Sequence, residues 1–268
     1  MKRIDYHLHT RLCKHARGTI DEYVAQALSL DLDEIGFSDH NPMLQEFARP
    51  HRMDPGQFDR YVAMVREAQK KFPRLPIKLG LEADFLPGGE DFLKEQISRY
   101  PFDYVYGSVH YLGEWGFDDP VFIHVWDDYN VDNVYTRYFE ALMQLIESRL
   151  FDIIAHPDLV KKFGHRPKNL DMESIYHRVC RCLKEASMCM EVNTAGLRKE
   201  VGEIYPVKRF LEIAYEHDVP IVIGSDAHAP EEVGKDYDRA VALARSAGYT
   251  HIQQFSRRRR TPVSIEDQ

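Results

Sequence analysis

A chain of 268 residues, 44% hydrophobic and 29% charged, has the composition of a globular protein with a sizeable core. Its formal net charge of -8 argues against a general nucleic-acid binder, because phosphate backbones are held mainly by Lys and Arg; a small anionic ligand would need locally gathered positive charge. Asp, Glu, Lys or Arg interrupts every apolar stretch short of the roughly 20 residues that cross a bilayer, and the polar start Met-Lys-Arg-Ile-Asp has no apolar leader, which predicts a protein neither exported nor inserted in a membrane.

Short β-rich runs alternate with longer helical ones. Residues 3–7 read as a strand, with His7 and His9 at its end and His15 in the loop beyond. Thr19 to Glu22 has the form of a capping box, and Ile20, Val24, Ala27 and Leu28 follow on one helical face. A strand over 34–38 leads into Asp39 and His40. Asp54-Pro55 marks a helix start, with Asp as N-cap and Pro at the first helical position. The strand over 77–83 contains Glu82, the one over 103–109 precedes His110, and Tyr135, Tyr138, Phe139, Leu142, Leu145 and Ile146 form the stripe of another helix. Strands over 152–155, 188–193 and 219–225 lead to His156, to Asn193 and Arg198, and to Asp226 and His228. Residues 250–255 fit either an eighth strand or an outer appendage, and the basic run 257–260 fits a contact with acidic surface residues better than a nucleic-acid patch in so acidic a chain.

No repeat, low-complexity segment or linker divides the chain, so residues 1–268 are expected to form a single domain. Regular βα alternation allows a barrel or a doubly wound open sheet. The placement of chemistry separates them. Every one of the seven strand ends carries a ligand-type or polar group, whereas an open sheet would bring only the ends near its switch point together. A (β/α) barrel is therefore the predicted fold.

A His-x-His pair alone is weak, since both imidazoles face one way on a strand yet are equally compatible with exposure or a satisfied core. Here seven of the thirteen histidines, at 7, 9, 15, 40, 110, 156 and 228, cluster at strand ends or in the first loop. Those at 51, 124, 165, 177, 217 and 251 read as structural, although His51 and His165 lie in loops that border the predicted mouth. Glu82 ends an apolar run, where an unpartnered carboxylate would cost several kcal/mol, and Asp226 and Asp39 invite the same reading. Imidazole and carboxylate together suit zinc, iron or manganese, and the set exceeds what one ion uses, so more than one divalent ion is expected. Such clusters activate water and neutralise phosphoryl oxygens, which suits phosphate-ester hydrolysis. No Walker loop, Cys-nucleophile motif or Gly-x-Ser-x-Gly elbow competes. The four cysteines show no paired spacing and read as reduced, cytoplasmic thiols.

Asp-Tyr-His-Leu-His-Thr at 5–10, His15, Ser-Asp-His-Asn-Pro at 38–42, Glu82, Ser-Val-His at 108–110, Ala-His-Pro at 155–157 and Ser-Asp-Ala-His at 225–228 together resemble the metal motifs of the polymerase and histidinol phosphatase (PHP) superfamily. The resemblance spans nearly the whole chain. It implies a distorted (β/α)7 TIM-like barrel in which His7, His9, Glu82 and Asp226 bind one ion, Glu82, His110 and His156 a second, and His15, His40 and His228 a third. Asp39 would then orient an imidazole rather than bind metal. Residues 107–120, 156–166, 191–198 and 203–206 look like the histidinol-phosphate phosphatase branch.

That branch implies hydrolysis of L-histidinol phosphate, a small-molecule ester, in histidine biosynthesis. Asp226, Arg198 and His228 are the candidate catalytic residues, with Asp226 the candidate proton donor to the leaving alkoxide. Arg198 has a planar fork suited to the phosphoryl group, with Lys161, Lys162 and Arg166 as further positive charge. Trp115, Phe117 and Asp118 are the candidates for holding the amine and imidazole. The alternatives are a phosphatase or phosphodiesterase acting on another small ester, such as a nucleotide, and a polymerase-associated domain that binds without turnover. The sequence is compatible with a homo-oligomer.

Overall fold

The computed structural model describes residues 1–266. Seven strands, β1 (Ile4–Leu8), β2 (Glu34–Phe37), β3 (Ile77–Asp84), β4 (Tyr104–Ser108), β7 (Ile153–Ile154), β8 (Cys189–Asn193) and β9 (Ile221–Gly224), pair in parallel in that order. Beyond β9 the amide of Ala227 donates to the carbonyl of His7 at 3.0 Å and the amide of His9 donates to the carbonyl of Ala227 at 3.0 Å, which brings the last strand round to the first. The result is a nearly closed barrel, distorted by a two-residue β7 and by a register shift in the β1–β2 pairing. A small hairpin, β5 (Tyr111–Leu112) with β6 (Trp115–Gly116), projects from the loop after β4.

The helices α1 (Ile20–Ser29), α2 (Phe58–Lys71), α3 (Glu90–Ser98), α4 (Val131–Glu147), α5 (Met172–Ala186), α6 (Lys208–Glu216) and α7 (Tyr237–Ser246) lie between or after the strands. Thr19 and Glu22 cap α1 reciprocally, as the sequence predicts. At Asp54 the prediction is one turn early. Pro55 opens a three-residue 3-10 turn, closed by the Gln57 side chain accepting from the Asp54 amide at 3.0 Å, and α2 begins only at Phe58. Among the described residues no helix is long and apolar enough to cross a membrane.

Residues 250–255 are the outer appendage rather than an eighth barrel strand. They form β10 (His251–Ser256), paired antiparallel with β11 (Arg259–Ser264) outside the barrel. The intervening arginines fasten this hairpin to the N-terminal ends of the barrel strands. Arg258 donates to Asp152 at 2.7 Å and to the Leu150 carbonyl at 2.7 Å, and the amide of Arg257 donates to Asp103 at 3.1 Å.

Inside the barrel, Tyr104 stacks on Tyr6 with ring centroids 4.7 Å apart and donates to the Tyr6 carbonyl at 2.7 Å. A Cβ at Gly80 would lie 2.3 Å from the Tyr104 ring, and one at Gly36 would lie 2.1 Å from its oxygen. Glycine at those two positions is what lets an aromatic ring fill the barrel below the strand ends.

Candidate active site

The C-terminal strand ends converge on a cavity of about 480 Å³, within the usual size range for small-molecule sites. Buried Glu82 lies at its floor. Its Oε2 is 3.3 Å from His7 Nε2, 3.5 Å from His9 Nε2 and 2.9 Å from His40 Nδ1, while Oε1 is 3.0 Å from His156 Nε2 and 3.8 Å from His110 Nε2. Asp226 Oδ1 approaches His9 Nε2 at 3.3 Å and His7 Nε2 at 3.8 Å. Beside them, donor atoms of His15, His40 and His228 lie within 4.8 Å of one another. All nine residues named from the sequence as candidate ligands are thus brought together at one barrel mouth.

Hydrogen bonds fix which imidazole atom faces inward. His7 Nδ1 donates to Glu191 at 2.6 Å, His110 Nδ1 to Asp84 at 2.6 Å, His15 Nδ1 to the Cys13 carbonyl at 2.8 Å and His228 Nδ1 to the Asp226 carbonyl at 3.1 Å. His9 Nδ1 lies 3.4 Å from Asp39, which also accepts from the amides of Thr10 and His40. Each of these rings then turns an Nε2 lone pair toward the cluster. Burial alone would push the Glu82 carboxyl up, yet the imidazoles of His40 and His7 hold it well below the ordinary carboxylate range. His7, His9 and His228 do the same for Asp226 against the same burial. Nε2 of His7, His9 and His228, Nδ1 of His40 and Oε2 of Glu82 are buried without a hydrogen-bond partner. Without a cation the carboxylates can be offset only by protons on the imidazoles; a divalent ion would take the place of those protons and accept the inward lone pairs, so the donor set fits divalent metal ions. Among non-glycine residues here, His156 (φ +22°) and Asp226 (φ +53°) have a left-handed backbone, strain of about 1–3 kcal/mol each at the point where their side chains must be aimed.

Asp226, the expected candidate for proton donor, stands among the proposed metal ligands, 3.3 Å from His9 Nε2.

The expected substrate residues divide. Arg198, Lys162 and Asp118 line the cavity. Arg198 donates to the Ser225 carbonyl at 2.7 Å and its Nη1 has no partner. Lys162 pairs with Asp118 at 3.0 Å; burial would raise the Asp118 pKa, but Lys162 and His110 lower it to about 2. The other four candidates do not reach the cavity wall. Trp115 stacks on Tyr129, with centroids 5.2 Å apart, and Phe117 is buried edge-on against Tyr138. Lys161 is buried between Asp158 at 2.9 Å and Glu203 at 3.3 Å, and Arg166 pairs with Glu203 at 2.7 Å on the surface. Of the two flanking histidines, His51 lines the cavity and bonds Asp119 at 2.9 Å, whereas His165 stacks on Trp126 away from it.

Sequence reasoning missed Glu191, Asp84, Arg52 and Asp5. Glu191 serves His7 and also accepts from the His156 amide at 2.7 Å; Asp84 is clamped by Arg52 Nη2 at 2.7 Å. Asp5 accepts from the amides of Ser225 and Gly234, each at 2.9 Å, and so holds the β9 loop to β1. A usable signal existed for two of them: Glu191 interrupts an apolar strand as Glu82 does, and Asp84 follows Glu82 at the two-residue spacing of one strand face.

The PHP domain family matches residues 5–195, and the PHP-associated family matches residues 208–242. A protein of Deinococcus radiodurans named "Probable histidinol-phosphatase" is 42% identical over 246 residues, 91% of this chain and 93% of its own. The Bacillus subtilis histidinol-phosphatase is 29% identical, over 89% of this chain and 98% of its own. The fold matches the crystal structure of histidinol phosphate phosphatase from Lactococcus lactis, complexed with zinc, L-histidinol and phosphate, with a TM-score of 0.84 at 20% identity over 97% of this chain and 99% of that one. The chain belongs to the PHP domain family.

Proposed function

We infer that this chain is a histidinol-phosphatase, which hydrolyses L-histidinol phosphate to L-histidinol and inorganic phosphate in histidine biosynthesis. The observation that carries the reading is the convergence of nine ligand-type side chains beneath a cavity with Arg198 and Lys162 on its wall, in a chain 42% identical to a protein named for that activity.

His7, His9, Glu82 and Asp226, then Glu82, His110 and His156, then His15, His40 and His228 are the residues that would hold two to three ions of zinc, iron or manganese. Bound there, such ions supply an activated water and neutralise charge on the phosphoryl oxygens. Arg198 contributes a fixed, partly buried charge, with its unpartnered Nη1 available to a phosphoryl oxygen and its Nη2 anchored on Ser225. Lys162, which also lines the cavity and is held in place by Asp118, has an ammonium that can donate to a further phosphoryl oxygen. The leading candidate for the amine shifts from Asp118, already neutralised by Lys162, to Glu114 and Glu200, carboxylates on the cavity wall. All four cysteines are free thiols, which suits a cytoplasmic enzyme. Residues 1–268 are taken to act as one catalytic domain.

The test is phosphate release from L-histidinol phosphate beside a panel of nucleoside monophosphates, with and without a chelator. Specificity of about 100-fold or more in kcat/KM for histidinol phosphate, abolished by chelation, is expected. Equal turnover of the nucleotides would replace this substrate with a general phosphomonoester.

A further inference from the structure

We propose that Tyr205 is a substrate-contacting residue whose hydroxyl donates a hydrogen bond to the ester oxygen that leaves as the alcohol. This rests on the reading of the site as a phosphomonoesterase. The ring is 1% exposed and lines the cavity, and its Oη has no hydrogen-bond partner. A buried hydroxyl is normally paired, and leaving it unpaired is costly, so an unpaired one on a cavity wall points to a partner that arrives with the ligand.

The rest of the chain builds a rigid seat for this ring. The Tyr205 amide donates to the Asn193 carbonyl at 2.9 Å and the Asn193 amide donates back at 2.7 Å, which pins Tyr205 to the end of β8. Lys161, which does not reach the cavity itself, sits over the ring 5.3 Å from its centroid. Gly196 leaves the space the ring needs: a Cβ there would lie 2.9 Å from Cε2 and Cζ of Tyr205 and 2.1 Å from the Glu203 carbonyl. That explains a glycine two residues before Arg198, the group offered to the phosphoryl oxygens.

Placement and chemistry both select the leaving oxygen. A tyrosine phenol carries its proton at working pH, so the hydroxyl is a neutral donor. The ring stands edge-on to that of His156, one of the proposed metal ligands, with centroids 6.4 Å apart. The ester bridge is the part of the substrate that joins a phosphoryl group on the cluster to an alcohol beyond it. An alkoxide gains most from a donor as the bond to phosphorus breaks. The phenol keeps its proton throughout, and water completes the alcohol.

Tyr205→Phe keeps the ring and removes only the donor. On L-histidinol phosphate its kcat should fall about 10- to 100-fold, the range for one lost hydrogen bond to a charged oxygen. KM and inhibition by inorganic phosphate, which has no bridging oxygen, should stay within about twofold, and the melting midpoint should be unchanged or higher. A kcat within about twofold of the parent would overturn the proposal. So would a variant that loses its fold, since the hydroxyl would then be structural, or an equal weakening of phosphate binding, which would place the bond on a non-bridging oxygen. If the parent protein itself releases no phosphate from histidinol phosphate, it is the functional reading that fails.

Discussion

Four imidazoles at the barrel mouth, His7, His15, His110 and His228, give up Nδ1 to a protein acceptor and keep Nε2 for the interior. The acceptor sets the tautomer and the ring plane, so the geometry around any bound ion is decided partly by residues that never touch it. Glu191 has the widest reach, because one oxygen takes His7 Nδ1 and the other takes the His156 amide. Glu191→Gln removes the charge behind His7, and its amide can accept from only one of the two donors. Metal affinity should fall about 10- to 100-fold, with kcat at saturating metal close to that of the parent, as read by chelator-competition titration and activity on the reloaded enzyme. Unchanged affinity would show that the interior lone pairs are oriented by packing alone. The nine ligand-type residues were legible because eight stand at or beside a predicted strand end and His15 in the loop after the first; Glu191 and Asp84 carried a signal in their own strands, but their partners, and the role of Arg52, depend on which strand lies next to which.

The seven barrel strands were placed by their apolar runs to within a residue or two at each end, since a fully buried parallel strand has few ways to be read. Loops were harder. The Trp115–Gly116 hairpin carries an aromatic that composition suggests for ligand binding, yet Trp115 packs with Tyr129 and Trp126 against its own loop. Aromatic character does not say which face of a loop meets the cavity. Beneath the site, strand packing depends on small residues that single-strand reading treats as neutral. Gly80 on β3 and Gly36 on β2 both lie against the Tyr104 ring of β4. Gly80→Ala places a methyl where that ring stands and should destabilise the barrel by about 1–3 kcal/mol or more, measured by denaturant melts of the metal-loaded protein. Stability equal to the parent would mean that Tyr104 can leave the barrel axis without loss, which its bond to the Tyr6 carbonyl and its stacking on Tyr6 argue against.

At the scale of the whole molecule, the proposed metal centre draws on residues at or beyond the ends of β1, β2, β3, β4, β7 and β9, so binding there would link nearly every strand of the barrel through the same few atoms. Closure at the β9–β1 seam is thin by comparison: two backbone hydrogen bonds through Ala227 and the grip of Asp5 on the Ser225 and Gly234 amides. Removing the ions would leave Glu82 and Asp226 with only imidazole protons to offset their burial, and Asp226 lies directly beside that seam. Ligands that bind only the folded state stabilise it by mass action, about 4 kcal/mol for each at a thousandfold excess over its dissociation constant. For a chain of this size, each kcal/mol moves the melting midpoint by about 2–4 °C. Dialysis against a chelator should therefore abolish phosphate release and lower the midpoint by about 10 °C or more, with zinc restoring both. A metal-stripped protein with an unshifted midpoint would show that the barrel mouth is held by its hydrogen bonds alone, and that the inward lone pairs are tolerated without a cation.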